Sequence, residues 1–321
     1  MLKRHLMETA LFLGGLFLIL QAAALPLRPK NKSVYNSVIA EEKAGDVAAM
    51  PENTIDVLIC GDSESYSAFS PLQMWGEHGI TAYDTGSPGQ RLCDTEAILA
   101  ENLKNQKPKL VIIEANTLYR YAGADSGPDN FVVRMSQAVI PILRYHNRWK
   151  IIASGESSCM LEDSHSLLYR GFVVRKSAIP WHGKNYMKQT SGTEEFPDQV
   201  TEYLAKIQKL CSDNGAKLLL VSVPSPKNWS YKKHNTVAAW AEENGVDYQD
   251  LNLCTDQIGI QWSKDTLDAG DHLNFAGATK VTDYYSRYLL EKYHLADHRN
   301  DAAYAVWQSD FEKAGLYPAG Q

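Results

Sequence analysis

The chain has 321 residues, 44% of them hydrophobic, enough for one large core or two modest ones. A formal net charge of −6, with no segment where lysine and arginine concentrate, excludes a nucleic-acid face. The five cysteines, at positions 60, 93, 159, 211 and 254, include no CxxC pair, which argues against a zinc knuckle or a dithiol redox centre and reads as buried or free thiols.

Lys3 and Arg4 precede ALFLGGLFLILQAAALPL, Ala10 to Leu27, which is apolar apart from Gln21 and carries no charge until Arg28. A terminal run that is apolar on every face predicts a membrane anchor or signal segment over residues 1–27, not a buried core helix. Its length favours an uncleaved anchor. The small residues Ala22, Ala23 and Ala24 leave cleavage and secretion as the alternative. The basic pair in front places the N-terminus in the cytoplasm and the bulk of the chain outside, with Arg28, Lys30 and Lys32 pulling against that orientation.

Residues 28–54 read as a linker, with mixed charge and no strong period. From there apolar runs alternate with amphipathic ones. TIDVLIC (Thr54 to Cys60), HGITAYD (His78 to Asp84), PKLVIIEA (Pro108 to Ala115), AKLLLVSVP (Ala216 to Pro224) and the weaker GVDYQDL (Gly245 to Leu251) predict strands. Helices are predicted over Asp94 to Gln106, Glu195 to Gly215, His234 to Gly245 and Phe275 to Tyr293, two of them ending on a glycine stop. Alternation of this kind indicates an α/β fold whose parallel sheet is covered on both faces, with ligands at the carboxyl ends of the strands. Residues 120–190 break the alternation with HNRWK, LLYRGF and IPWHGKN. They read either as an insertion capping the strand tips or as an ordinary helical subdomain with surface aromatics. Residues 55–298 thus make the α/β domain, and 299–321 a C-terminal extension.

The first strand runs into Gly61-Asp62-Ser63. Asp and Ser are common turn residues, so the tripeptide alone is weak evidence. A serine nucleophile needs a base, a group to orient that base, and donors for the oxyanion. A base is available in DTLDAGDHLNFAGA, where His272 follows Asp265, Asp268 and Asp271 and precedes a helix. If the segment makes one helical turn, Asp268 shares a face with His272 and is the preferred orienter. Asp271, adjacent in the chain, is the alternative. Asn274 reads as the helix N-cap. Two further strand tips carry donors: the glycine-rich DTGSPGQ (Asp84 to Gln90) and EANTLY (Glu114 to Tyr119), with Asn116.

Ser, Gly, Asn and His in that chain order resemble the four marker residues of the SGNH (GDSL-type) hydrolase superfamily, over roughly Ile55 to Tyr293 less the insertion. The resemblance implies a flavodoxin-like three-layer sandwich around a central parallel sheet. It implies that Ser63 is the nucleophile and gives its own N–H to the oxyanion. Gly89 (Gly86 as the fallback) and Asn116 are the other donors, and His272 is the base. Two departures stand out: the family pattern is Asp-x-x-His, whereas Ala269 lies three before His272, and Gly-x-Asn-Asp is replaced by Glu-Ala-Asn-Thr. The layout, with HNRW and NWS (Asn228 to Ser230), is similar to bacterial cell-envelope members, of the Gram-positive type, that accompany membrane-bound O-acyltransferases. Among such members are the D-alanyl transfer protein of teichoic acid modification and the alginate acetylation proteins.

The implied activity is that of a serine esterase or O-acyltransferase on cell-surface polysaccharide, acting through an acyl-Ser63 and needing no metal or organic cofactor. Trp149 and Trp181 are candidates for stacking on sugar rings, with Arg148 beside them, and core packing is an equal reading of both tryptophans. The alternative function is a non-catalytic accessory partner of a membrane-bound O-acyltransferase. A Ser63–His272 separation near hydrogen-bond length separates the enzyme from that alternative.

Overall fold

A computed structural model describes residues 2–25, 38–120, 122, 139, 140, 142 and 167–317. The N-terminal helix α1 (Leu2–Ala24) contains one stretch long and apolar enough to cross a membrane, Lys3–Ala24, with mean hydropathy 1.8. Helix α2 (Val38–Ala48) occupies part of the segment expected to be a linker. Ala44 packs on Ile98 while Val47 and Met50 enter the main core, so this stretch belongs to the domain. Its apolar residues are too few and too small to give a helical stripe in the sequence.

Five parallel strands follow: β1 (Val57–Cys60), β2 (Ala82–Asp84), β3 (Leu110–Glu114), β4 (Lys217–Ser222) and β5 (Asp247–Asp250), in the order β2-β1-β3-β4-β5. Val57 pairs with Ala82 on one side and Leu110 on the other; Leu110 pairs with Lys217, and Leu219 with Asp247. The central strands are apolar at nearly every position because both faces are covered. Alternate side chains divide between two cores. Leu58, Cys60, Val111, Ile113, Leu218 and Leu220 face one; Val57, Ile59, Leu110, Ile112, Leu219 and Val221 face the other. Burial alone pushes the Cys211 thiol up to about 12; Cys60 reaches the same value chiefly through burial.

Helices α3 (Ser65–Ala68) and α4 (Pro71–His78) fill the connection from β1 to β2. The strand expected from His78 therefore starts later, at Ala82. Pro71 opens α4, and Gly79, with φ 67°, closes it. Helices α5 (Leu92–Asn102), α6 (Val200–Asp213) and α7 (Tyr231–Asn244) pack on the first core. The short α8 (Thr255–Ile258) and the long α9 (Phe275–Tyr293) pack on the second. Asn274 caps α9 by accepting from the Gly277 N–H at 3.1 Å.

The expected C-terminal extension is also part of the domain. Helix α10 (Ala305–Ala314) buries Trp307 fully, stacks it on Trp75 at 6.1 Å, and receives the Arg170 guanidinium over its ring at 4.7 Å. Of the region read as an insertion, residues 172–190 form no helix or strand. Part of that segment straps the loop that precedes α9. Trp181 N–H donates to Trp262 O at 2.9 Å, Ala269 N–H to Ile179 O at 2.9 Å, and Phe275 N–H to Arg175 O at 2.7 Å.

Candidate active site

The strand order reverses between β1 and β3, which run from adjacent positions into loops that diverge and leave a crevice at their carboxyl ends. Ser63 follows β1 and Asn116 follows β3, so both sit at that crevice. From Thr54 to Trp75 every residue is buried except Ser63. The turn is held by Asp62, whose Oδ1 accepts from Glu64 N–H at 2.9 Å and whose Oδ2 accepts from Arg120 Nε at 2.6 Å. Asp62 thus serves the turn, and Ser63 is the residue turned outward.

His272 reaches Ser63 from the other end of the chain. Its Nε2 lies 2.8 Å from Ser63 Oγ, and its Nδ1 lies 2.7 Å from Asp268 Oδ2. Asp268 Oδ1 also accepts from the His272 backbone N–H at 2.7 Å. A carboxylate accepts only, so Nδ1 carries the proton and Nε2 is free to accept from the serine hydroxyl. Burial pushes the Asp268 carboxyl up, but the hydrogen bonds from the His272 ring and backbone outweigh it and hold the group below its ordinary value.

The segment before His272 is a folded-back loop and not a helical turn. Thr266 and Leu273 bridge in antiparallel fashion, and Leu267 N–H donates to His272 O at 2.9 Å. Ala269 and Gly270, both with positive φ (59° and 90°), turn the chain back between them. Asp268 therefore meets His272 across a closed loop. Asp271 lies farther, with Oδ1 at 3.6 Å from Nδ1, and that oxygen accepts from Asn228 Nδ2 at 2.6 Å. Asp268, Asp271 and His272 bring ligand-type atoms within 4.8 Å of one another. Both ring nitrogens of His272 are already engaged by Asp268 and Ser63, so the trio is arranged for proton transfer.

The oxyanion donors can be placed in part. Ser63 N–H and Gly89 N–H have no hydrogen-bond partner among the described residues. Gly89 is exposed with φ 62° and open space around its Cα, whereas the Gly86 N–H is committed to Asp84 Oδ1 at 2.6 Å. Of the two glycines, only Gly89 keeps a free donor. Asn116 is buried: its backbone N–H donates to Glu114, and its Nδ2 to Glu64 Oε1 at 3.2 Å. The second Nδ2 hydrogen is left over.

Trp181 is half-buried, edge-on to Tyr186 at 5.7 Å and to Trp262 at 5.8 Å, so it is partly a packing residue. Trp149 and Arg148 lie outside the described residues. Glu64 and Asn228 were not singled out as site residues by sequence reasoning, although Glu64 directly follows Ser63 and Asn228 stands in NWS. Their one signal was that adjacency, which a surface turn would show equally.

A serine, a histidine and an aspartate in hydrogen-bond series at the switch point of a 2-1-3-4-5 parallel sheet form a catalytic triad in geometry. No family model and no curated protein matches the chain. Solved structures do. A Bacteroides fragilis protein assigned as an acylhydrolase is 13% identical, with 82% of this chain and 100% of that one covered and a TM-score of 0.42. A GDSL-like lipase from Bacteroides thetaiotaomicron is 13% identical, with 79% and 97% covered and a TM-score of 0.39. A lipase/acylhydrolase from Enterococcus faecalis is 12% identical, with 74% and 97% covered and a TM-score of 0.38. Likeness this distant says nothing about chemistry, for which the distances at Ser63 stand.

Proposed function

We propose that the protein is a serine esterase or O-acyltransferase of the SGNH type, working outside the cytoplasmic membrane on O-acyl groups of cell-surface polysaccharide. The observation that carries this reading is the 2.8 Å contact from Ser63 Oγ to His272 Nε2, backed by Asp268 at 2.7 Å. A docking partner that performs no chemistry has no use for an aligned nucleophile, base and orienter, so the enzyme is favoured over the accessory role.

Ser63 Oγ attacks the carbonyl carbon of an acyl donor as its proton passes to His272 Nε2. The imidazolium so formed is held by Asp268. The carbonyl oxygen becomes an oxyanion facing the Ser63 N–H, with Gly89 N–H and Asn116 Nδ2 as further donors. Collapse breaks the bond to the leaving group, which takes the proton from Nε2, and leaves an ester on Ser63. A sugar hydroxyl or water then gives its proton to Nε2 and attacks that ester, which regenerates Ser63. Transfer and hydrolysis differ only in which hydroxyl arrives.

Two features support the setting. Helix α1, with Lys3 and Arg4 at its start, suits an anchor whose following domain faces outward. The half-buried rings of Trp181, Tyr186 and Trp262 suit sugar stacking near the His272 loop; a Cβ on Gly270 would lie 2.9 Å from Trp181. A membrane-bound O-acyltransferase is the natural source of the acyl donor. The test supplies the full chain in detergent with 4-nitrophenyl acetate and an acetylated polysaccharide. The expected result is acetyl-Ser63 by mass spectrometry, with acetate released or moved between sugars, and both lost in Ser63→Ala. Turnover of neither ester, with no acyl on Ser63, would overturn the reading.

A further inference from the structure

We infer that Glu64 is a positioning residue of the oxyanion hole: its carboxyl orients the Asn116 amide and, through Asn228, couples that amide to the loop bearing Asp268 and His272. This rests on the serine-enzyme reading above and adds a residue to the same site.

The geometry is a continuous chain of hydrogen bonds. Glu64 is 2% exposed, and its Oε1 accepts from Asn116 Nδ2 at 3.2 Å and from Asn228 Nδ2 at 2.6 Å. The other Asn228 Nδ2 hydrogen goes to Asp271 Oδ1 at 2.6 Å, which saturates that amide. Asn228 is itself fixed, since its carbonyl accepts from Lys233 Nζ at 2.7 Å. Asp271 is fixed too, its carbonyl accepting from Ser225 Oγ at 2.8 Å. Side chains from the tips of β1, β3 and β4 thereby meet at one carboxyl group, and Asn228 extends the chain to Asp271 in the His272 loop.

An asparagine amide has two ends of similar shape, and an oxyanion donor works only with nitrogen facing the reacting carbonyl. Glu64 Oε1 can only accept from Asn116, so it selects the rotamer that presents Nδ2. One Nδ2 hydrogen is spent on Glu64 and the other remains for the oxyanion. Glu64 Oε2 is buried with no hydrogen-bond partner among the described residues, and Glu114 and Asp62 lie close by. Burial first, and then those two carboxylates, push the Glu64 carboxyl well above the ordinary range. Arg120 offsets Asp62, and Lys233 is a further cation nearby. Glutamine at this position keeps a carbonyl oxygen that accepts from both asparagines.

The test measures phosphonylation of the full chain in detergent by an alkyl fluorophosphonate, with kinact and KI resolved separately. Glu64→Ala is expected to lower kinact about 10- to 100-fold with KI within about twofold, as loss of an oxyanion donor does. Glu64→Gln is expected to stay within about threefold of the native rate. Asn116→Ala combined with Glu64→Ala is expected to match Asn116→Ala alone, because one residue acts through the other. Asn228→Ala gives a second route to the same loss should Glu64→Ala prove too unstable to assay. An unchanged kinact in Glu64→Ala, multiplying effects in the double variant, or a Glu64→Gln as impaired as Glu64→Ala would overturn the inference. Absence of labelling in the native chain would instead sink the serine-enzyme reading itself.

Discussion

Replacing Asp268 by Asn removes the acceptor that keeps His272 in its working tautomer. The two bonds it makes, 2.7 Å to Nδ1 and 2.7 Å to the backbone N–H, use both carboxylate oxygens. An amide oxygen can keep only one of them, and an amide nitrogen facing Nδ1 would favour the wrong tautomer. In a fully buried triad this change costs about 10⁴ in rate. Two features here reduce it: the Asp268 side chain is 34% exposed, and Asp271 Oδ1 waits 3.6 Å from the same nitrogen. A loss of about 10²- to 10³-fold, or about 3–4 kcal/mol in the barrier, is therefore expected. Asp271→Asn should cost less than about fivefold, and the double variant should fall about tenfold below Asp268→Asn. The assay is the second-order rate of fluorophosphonate labelling near neutral pH. An Asp268→Asn rate within about threefold of native, or a greater loss in Asp271→Asn, would refute this assignment of the acid.

Four further substitutions test the scaffold. A Cβ on Gly86 would lie 2.3 Å from Ser65 Oγ and 2.7 Å from Asp84 Oδ1, so Gly86→Ala should cost about 2–3 kcal/mol in denaturant unfolding. Gly89→Ala, in open space at φ 62°, should cost about 1 kcal/mol, and equal losses at the two sites would contradict the geometry. Arg120→Ala leaves the fully buried Asp62 without its ion pair. About 2–3 kcal/mol is expected, below the range for fully buried pairs because Arg120 is 40% exposed, and a neutral result would show that the pair does not stabilise the fold. Burial raises the Asp84 carboxyl to about 7 despite Lys43 nearby, so the folded chain holds a proton that the unfolded chain releases from about pH 4 upward. Stability should fall as pH rises through that window, by up to about 1.4 kcal/mol per pH unit from this group. Asp84→Asn should remove that part of the slope, and an unchanged slope in urea titrations at pH 5 and 7 would refute it.

The fold was legible wherever burial leaves a pattern. The central strands are apolar on both faces because helices cover both, and α9 starts at Phe275, where the Asn274 cap predicts it. Ser63 and His272 were legible as residue types at strand tips and before a helix. What the sequence did not carry is convergence between distant positions. Asn116 and Asn228, 52 and 164 positions from Glu64, meet at its oxygen. Helix α2 lacks a stripe, and α10 gains its burial from Trp75 and Arg170, far away in the chain. Asp268 and His272 stand four apart, as on a helical turn, yet the loop from Thr266 to Leu273 brings them together by folding back on itself. Ala269 with φ 59° is a conformation no spacing rule anticipates.

The most direct measurement asks whether Ser63 is an activated nucleophile. Full-length protein in detergent, treated with a fluorophosphonate and mapped by mass spectrometry, should carry one adduct on Ser63, absent in Ser63→Ala and in His272→Ala. An unlabelled Ser63 in folded protein, or labelling that persists undiminished in His272→Ala, would contradict it.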